Sequence, residues 1–404
     1  MDLRPIRDDE LEEFARTQAA GFGYDYRPEA LGARRAIFEA DRSTAAFDGP
    51  EMVGTAGIFS FEMTLPGAVA PVAGVTMVSV KPTHRRRGIL TAMMGRQLRE
   101  IRERGEAVAA LWASESLIYG RFGYGLSSQN ADWTIDRTRT ALQDGAEPRG
   151  SVRLVSVEEA LASWPAVYDR ERVQQPGFYS RSRAWWEQRV LRDPEWARGG
   201  MTQHFRASYE EGGAVRGFVL YRIRGEYRDW LPSGSVHVVS LVAETAEAYT
   251  ALWRYVFGID LVATIEAEER SVDEPLYWML TDPRRLQRRL HDALWLRIVD
   301  VPAALAARRY SVEGRVVFEV DDPFVPEWGG RFALEGGPDG AVCRATTETA
   351  EVRLSARDLG ALYMGSQSVL PLAAAGRVLG DDGVLRRVDA MFRWAPAAWC
   401  PEVF

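Results

Sequence analysis

Residues 78–91 read Val78-Ser79-Val80-Lys81-Pro82-Thr83-His84-Arg85-Arg86-Arg87-Gly88-Ile89-Leu90-Thr91, which sets three arginines and a glycine where a strand-like run gives way to a helix-like one. The strand stops at Pro82, the chain turns at Gly88 and a helix begins. Backbone N–H groups and the positive helix end therefore converge where the arginines gather, and together they form a cradle for an anion. Glycine at the turn lets the main chain approach a bulky phosphate group, and arginine offers forked donors to its oxygens. A solvated basic run beside a helix has the same composition, and the residue types leave both readings open. Other chemistry is sparse. Two cysteines, Cys343 and Cys400, and four histidines, His84, His204, His237 and His291, are too scattered for a metal-ligand spacing, so no metal is expected.

The elements that must position this loop follow from periodicity. Before it, strands at Ser43–Asp48, at Glu51–Glu62 and ending at Val75–Val80 look like a meander. After it, Ile89, Leu90, Met93, Met94, Leu98 and Ile101 mark one face of a helix closed by Gly105. Val108–Trp112 is the next strand, Ser114–Tyr119 a short helix, and Ala131–Ile135 a return to strand. The chain opens with a strand at Leu3–Ile6, a helix capped at Asp8 and ended by Gly21 and Gly23, and a second helix near Pro28–Ala40. The pattern dissolves at Asp144–Gly150, which sets the first domain at residues 1–146.

From 147 to 295 the order recurs loosely, with strands near Gln203–Tyr209, Ala214–Ile223, Ser235–Ala243 and Leu261–Ala267 and helices from Val157, around Ser182–Leu191 and at Ala246–Gly258. The block reads either as a divergent copy of the first, without the phosphate loop, or as a generic α+β segment. Residues 296–404 form a third module, with strands at Arg315–Val320, Gly329–Glu335 and Glu351–Leu354, and helices at Ala356–Met364, Val369–Ala375 and Asp381–Phe392. Its end, WAPAAWCPEVF, is rich in Trp, Pro and Phe and is expected to dock rather than fray.

Composition narrows the classes. The 404 residues are 46% hydrophobic and 26% charged, which suits a soluble globular chain large enough for two or three domains. A net charge of −7 repels nucleic acid and anionic lipid overall, so neither is an expected partner. No run of about 18 apolar residues is free of charge or proline, and no apolar stretch follows a basic start at the N-terminus. A cytoplasmic protein without membrane insertion is expected.

The loop after a meander and before a long amphipathic helix resembles the GNAT family of acyl-CoA-dependent N-acetyltransferases. Arg85-Arg86-Arg87-Gly88-Ile89-Leu90 fits that family's Arg/Gln-x-x-Gly-x-Gly/Ala pattern, except that Leu90 stands where a small residue is usual. SVKPTHRRRGIL, the later SESLIYGRFGYG and the three-module layout together resemble the Eis (enhanced intracellular survival) family across essentially the whole chain. The resemblance implies an α+β chain of two GNAT-like domains, the first catalytic and the second degenerate, followed by a sterol-carrier-like α/β domain that delivers the C-terminus. It implies acetyl-CoA as cosubstrate and a homo-oligomer, a hexamer.

Residue by residue, it implies that Val78, Ser79 and Val80 present backbone groups to the pantetheine arm, and that Arg86, Arg87, Gly88, Ile89, Leu90 and Thr91 hold the pyrophosphate. Ser114 and Glu115 would line the far side of the slot. Tyr119 would be the general acid, its phenol donating a proton to the departing thiolate, with Tyr124 as the confusable position. The base would be the main-chain carboxylate of Phe404, with His84 as rival. Phe22, Tyr24 and Asp25, at the position that lines the acceptor groove, mix aromatic faces with a carboxylate, and Phe38 and Glu402 can add to that wall. Cationic amines suit it, although a helix-ending aromatic cluster with a solvated Asp25 has the same make-up. The expected acceptors are aminoglycosides, polyamines or lysine side chains, acylated by direct attack in a ternary complex. A binding protein that holds acyl-CoA or a lipid without turnover is the competing reading.

Overall fold

Two-residue turns with a glycine at positive φ, Gly49 and Gly67, join β2 (Thr44–Asp48), β3 (Glu51–Leu65) and β4 (Ala68–Val80) into antiparallel neighbours. The computed structural model in which they are seen describes residues 1–143 and 147–404. β1 (Asp2–Arg4) pairs along β2, and two helices, α1 (Leu11–Phe22) and α2 (Leu31–Ile37), fill the connection between them. Leu11 and Phe14 of α1 enter a core with Ala45, Phe47 and Met52. A helix of 15 residues, α3 (Ile89–Glu103), then carries the chain to β5 (Val108–Trp112), which lies parallel to β4. Met94, Leu98 and Ile101, spaced along one face of α3, pack with Ile58, Val75, Ala109 and Leu111.

Past β5 come a one-turn helix, α4 (Ser116–Tyr119), and β6 (Gly125–Leu126). β6 does not pair with β5. The strand Leu294–Ile298, buried throughout, inserts antiparallel between them and completes a seven-stranded sheet. By sequence alone these residues stand at a change of character between modules. Their all-apolar pattern, broken by Arg297, signals a doubly covered strand but not which sheet receives it. The helix Ala356–Leu362 packs on this strand and on β6 through glycines, since a methyl at Gly360 would lie 2.2 Å from Leu296 O and one at Gly125 of β6 only 1.9 Å from Arg357 O. The third module's own five-stranded sheet runs Gly340–Ala345, Gly330–Gly337, Gly314–Asp321, Val352–Ser355, Val378–Gly380. Its core contains Arg308, which donates to the carbonyls of Tyr363 and Phe392 and lies among the rings of Tyr310, Tyr363 and Phe392.

The contacts divide the chain into two units. One comprises Met1–Ser128, Asp292–Ala398 and Val403–Phe404; the other comprises Gln129–His291 and Trp399–Glu402. The boundary expected after residue 146 lies among residues 144–146, outside the described residues. Gln129–Asp136, read from the sequence as part of the first domain, is instead a strand of the second unit, antiparallel to Thr264–Arg270. The second unit's sheet continues through Ser235–Ala243, Ala214–Arg224, Phe205–Glu211 and Ser151–Leu154. Where one helix was expected at Ser182–Leu191, Arg183–Trp185 widens into a π turn over Trp186–Val190, with Trp185 and Trp186 both buried. Among the described residues no helix is long and apolar enough to cross a membrane.

Candidate active site

β4 and β5 pair at two positions, Ala73 with Ala109 and Gly74 with Ala110, and then part. Beyond Gly74 β4 has no pairing with β5, so Val78, Ser79 and Val80 face a gap into which backbone groups can be offered to a ligand, although Val80 O already accepts from Arg85 Nε at 3.4 Å. The Ser79 side chain lies within hydrogen-bond distance of Thr55 Oγ1, 3.0 Å away, and a methyl at Gly21 would come within 2.6 Å of its Oγ. A β-bulge shifts the β3–β4 register between Thr55–Ser79 and Gly57–Thr76, with Met77 at φ +55°, and Thr55 Oγ1 donates to Met77 O at 2.8 Å.

The basic loop follows directly. Gly88, at φ +81° with open space where a side chain would stand, is the N-cap of α3, and no side chain caps that helix. Arg86 is also left-handed, at φ +64°, an uncommon conformation for a residue with a Cβ. The three arginines are exposed but not equivalent. Arg85 donates to Gly21 O at 2.6 Å, and Arg87 donates to Thr83 O at 3.2 Å and lies 3.8 Å from Asp48. The Arg86 guanidinium has no hydrogen bond or ion pair among the described residues. Ile89 is buried as an anchor, whereas Leu90 is half-buried and Thr91 exposed on the first turn. An uncapped helix end, an open glycine and an unengaged guanidinium fit a pyrophosphate. His84 lies 3.4 Å from Asp48 and beside Thr83 Oγ1, at 2.8 Å.

The second unit makes the contrast. Its strand Ser235–Ala243 also pairs in parallel with the strand beyond the next helix, but only Glu244 and Thr245 separate it from that helix, Ala246–Phe257. Thr245 accepts from Ala248 N, and Glu244 brings a negative charge held by Arg170 and Arg216. A capped helix end beside a carboxylate does not suit an anion.

Ser114 and Glu115 are exposed at the end of β5, and Tyr119 is buried one turn on. Burial raises the Tyr119 phenol above its ordinary value, a hydrogen bond with the Ser114 side chain opposes this, and the Glu115 charge adds to it. The Tyr124 ring meets Tyr119 edge-on at 6.0 Å; its hydroxyl is fully buried without a hydrogen bond among the described residues, and burial drives its pKa far up.

Phe404 sits on β4. Thr76 Oγ1 donates to Phe404 O at 3.1 Å, and the Phe404 ring meets Phe61 edge-on at 5.1 Å. Nothing local in the sequence marks Thr76 beyond a polar side chain within the apolar run VAGVTMVSV. Phe22 and Tyr24 are exposed and stacked at 6.2 Å at the end of α1, with Asp25 exposed beside them. Phe38 instead turns into the α1 core, edge-on to Phe14 at 5.2 Å. Glu402 belongs to the second unit, where its Oε1 accepts from Tyr179 Oη and Trp185 Nε1, both at 2.6 Å, and lies 3.2 Å from Arg181 Nε. Burial alone would raise that carboxyl, but the charges of Arg181 and Arg189 and these two donors hold it below the usual range.

Comparison with known proteins bears on this arrangement. Residues 2–127 and 177–298 each match a model of an acetyltransferase (GNAT) domain, and residues 301–401 match a sterol carrier protein domain. An "uncharacterized N-acetyltransferase" of Streptomyces avermitilis is 40% identical over the whole of this chain and 99% of its own. The N-acetyltransferase Eis of Mycobacterium tuberculosis is 38% identical over 93% of this chain and 92% of its own. The crystal structure of Eis1 from Mycobacterium abscessus superposes with a TM-score of 0.87 at 32% identity, covering both chains fully.

Proposed function

The chain belongs to the Eis family of GNAT N-acetyltransferases, and from that premise we propose that it acetylates primary amines of cationic acceptors, with the Phe404 carboxylate and Tyr119 handling the protons. Acetyl-CoA, the cosubstrate a GNAT enzyme implies, supplies an acyl group activated as a thioester. The residues that would hold it are the β4 edge at Val78–Val80, the left-handed loop with Arg86 and Gly88, and the first turn of α3 through Thr91.

The observation that carries the amine reading is the hydrogen bond that holds Phe404 O on β4 at Thr76, two residues beyond the point where β4 and β5 part, which is where we place the main-chain carboxylate. A carboxylate fixed there attracts an ammonium ion and, directly or through one water, accepts the proton that an amine releases on acylation. Its low intrinsic basicity suits it to anchoring the ammonium form, while the neutral fraction of the amine, its first proton lost to solvent, attacks the thioester and the carboxylate takes the proton that becomes acidic once the nitrogen is acylated. Tyr119, kept protonated by burial, holds the proton for the departing sulfur. Phe22, Tyr24 and Asp25 supply exposed aromatic faces and a carboxylate for the rest of a polycation. Such a division of labour supports direct attack in a ternary complex rather than an acyl-enzyme, since it assigns the carboxylate to the amine and the phenol to the leaving sulfur and leaves neither to carry the acyl group.

Steady-state thiol release from acetyl-CoA, with aminoglycosides, polyamines and lysine peptides set against alcohols of similar size, tests the reading. Acceptor-dependent turnover confined to the amines is expected. Release unaffected by any amine would overturn it.

A further inference from the structure

We propose that Thr76 is the positioning residue for the terminal carboxylate, orienting it through the hydroxyl that donates to Phe404 O. The inference rests on the reading that this carboxylate takes part in turnover.

Docking the Phe404 side chain does not by itself aim the carboxylate. The ring, 7% exposed, is held against Phe61, and Gly74 leaves room for that pair, chiefly for Phe61: a methyl there would stand 2.4 Å from Phe61 Cε2 and 3.3 Å from Phe404 Cε2. A carboxylate joined to Cα by a single bond can rotate, and each donor to it restricts that rotation. Thr76 lies two residues after Gly74 on the same face of β4 and supplies one such donor at 3.1 Å. It stands immediately before the bulge at Met77, where the hydrogen bond from Thr55 to the Met77 carbonyl ties down the irregular backbone. Gly74 therefore seats the ring and Thr76 aims the charge. A donor to the ionised form also favours that form, so the hydroxyl extends the carboxylate's working range toward acid.

Thr76→Val keeps the shape of the side chain and removes the hydroxyl. The expected result is a fall in kcat of about tenfold or more, as for loss of one hydrogen bond to a charged group, with KM for acetyl-CoA unchanged. The acid limb of the kcat profile should move to higher pH, and Thr76→Ser should restore both rate and profile. A purely structural threonine would change none of these in a variant with an unaltered melt. Should the valine variant misfold, Thr76→Ala removes the same hydroxyl without adding a methyl and is read in the same way. A chain extended by a few residues after Phe404 tests the underlying reading separately. Full activity of a folded extended chain overturns the role of the carboxylate itself. An inactive extended chain together with a wild-type rate and pH profile in the Thr76 variants overturns the role of Thr76 alone.

Discussion

A phenol can serve as a general acid only while it keeps its proton, and the surroundings of Tyr119 secure that. Burial lifts it above its ordinary value of about 10, so it stays protonated through the neutral range and loses its proton only well into alkali. Tyr119→Phe keeps the buried ring and should lower kcat by about a hundredfold, while acetyl-CoA affinity measured by calorimetry stays near that of the parent. Activity that depends on the protonated phenol is present below its raised pKa and lost above it, so an alkaline decline centred below about pH 10 cannot belong to Tyr119. Tyr124→Phe removes a hydroxyl that is buried without a partner among the described residues, and its rate should stay close to the parent's. A large loss in that variant instead would transfer the proposed acid role from Tyr119 to Tyr124.

At the scale of elements, the same strand–helix connection occurs in both GNAT modules with opposite chemistry. In the first, α3 begins at a glycine with its N-terminal groups open; in the second, Thr245 caps the helix and Glu244 precedes it. The difference predicts that acetyl-CoA binds at the first connection and that its arginines contribute unequally. Arg86→Ala should weaken acetyl-CoA binding by about 1.5–3 kcal/mol, the usual worth of a charged hydrogen bond. Arg87→Ala should cost less, because that guanidinium is already shared with Thr83 O and Asp48. Neither change should move the melting midpoint appreciably, since both side chains are exposed. Titration calorimetry beside thermal melts checks this, and equal, unaltered affinities would return the loop to plain surface.

For the molecule as a whole, the tail is held by more than its last residue. In the second unit, Trp399 N donates to Pro176 O at 2.8 Å, Asn130 Nδ2 donates to Cys400 O at 2.7 Å, and Glu402 meets Tyr179, Trp185 and Arg181. Glu402→Gln keeps an acceptor for the two neutral donors but leaves the buried Arg181 without its counter-charge, a loss of about 1.5–3 kcal/mol in urea unfolding at neutral pH. Because the folded carboxyl titrates below its unfolded value of about 4.3, its stabilisation is fully present above that value and disappears as the pH falls through the lowered one. The gap between parent and variant should therefore close in acid. A constant gap down to pH 3 would show that the charge of Glu402 does not contribute.

What the sequence determined by itself is what periodicity and local chemistry encode. The strand Val108–Trp112 and the helix Ala246–Phe257 stand where their apolar spacing put them, α3 runs from Ile89 and ends just before Gly105, and the basic loop could be recognised from Pro82, the arginines and Gly88. Tertiary structure decided the rest, because those features depend on segments far apart in the chain meeting at one place. Leu294–Ile298 reads as a buried strand anywhere, and only pairing with β5 assigns it to the first sheet. Glu402 reads as a free carboxylate until Tyr179, Trp185 and Arg181 close on it. Thr76 and Phe404 are 328 residues apart, and no local pattern announces that a hydroxyl in mid-strand will meet the end of the chain. Hydrogen-bond partners of this kind are fixed by the approach of whole elements, which follows from the sum of the packing and not from either residue's neighbours.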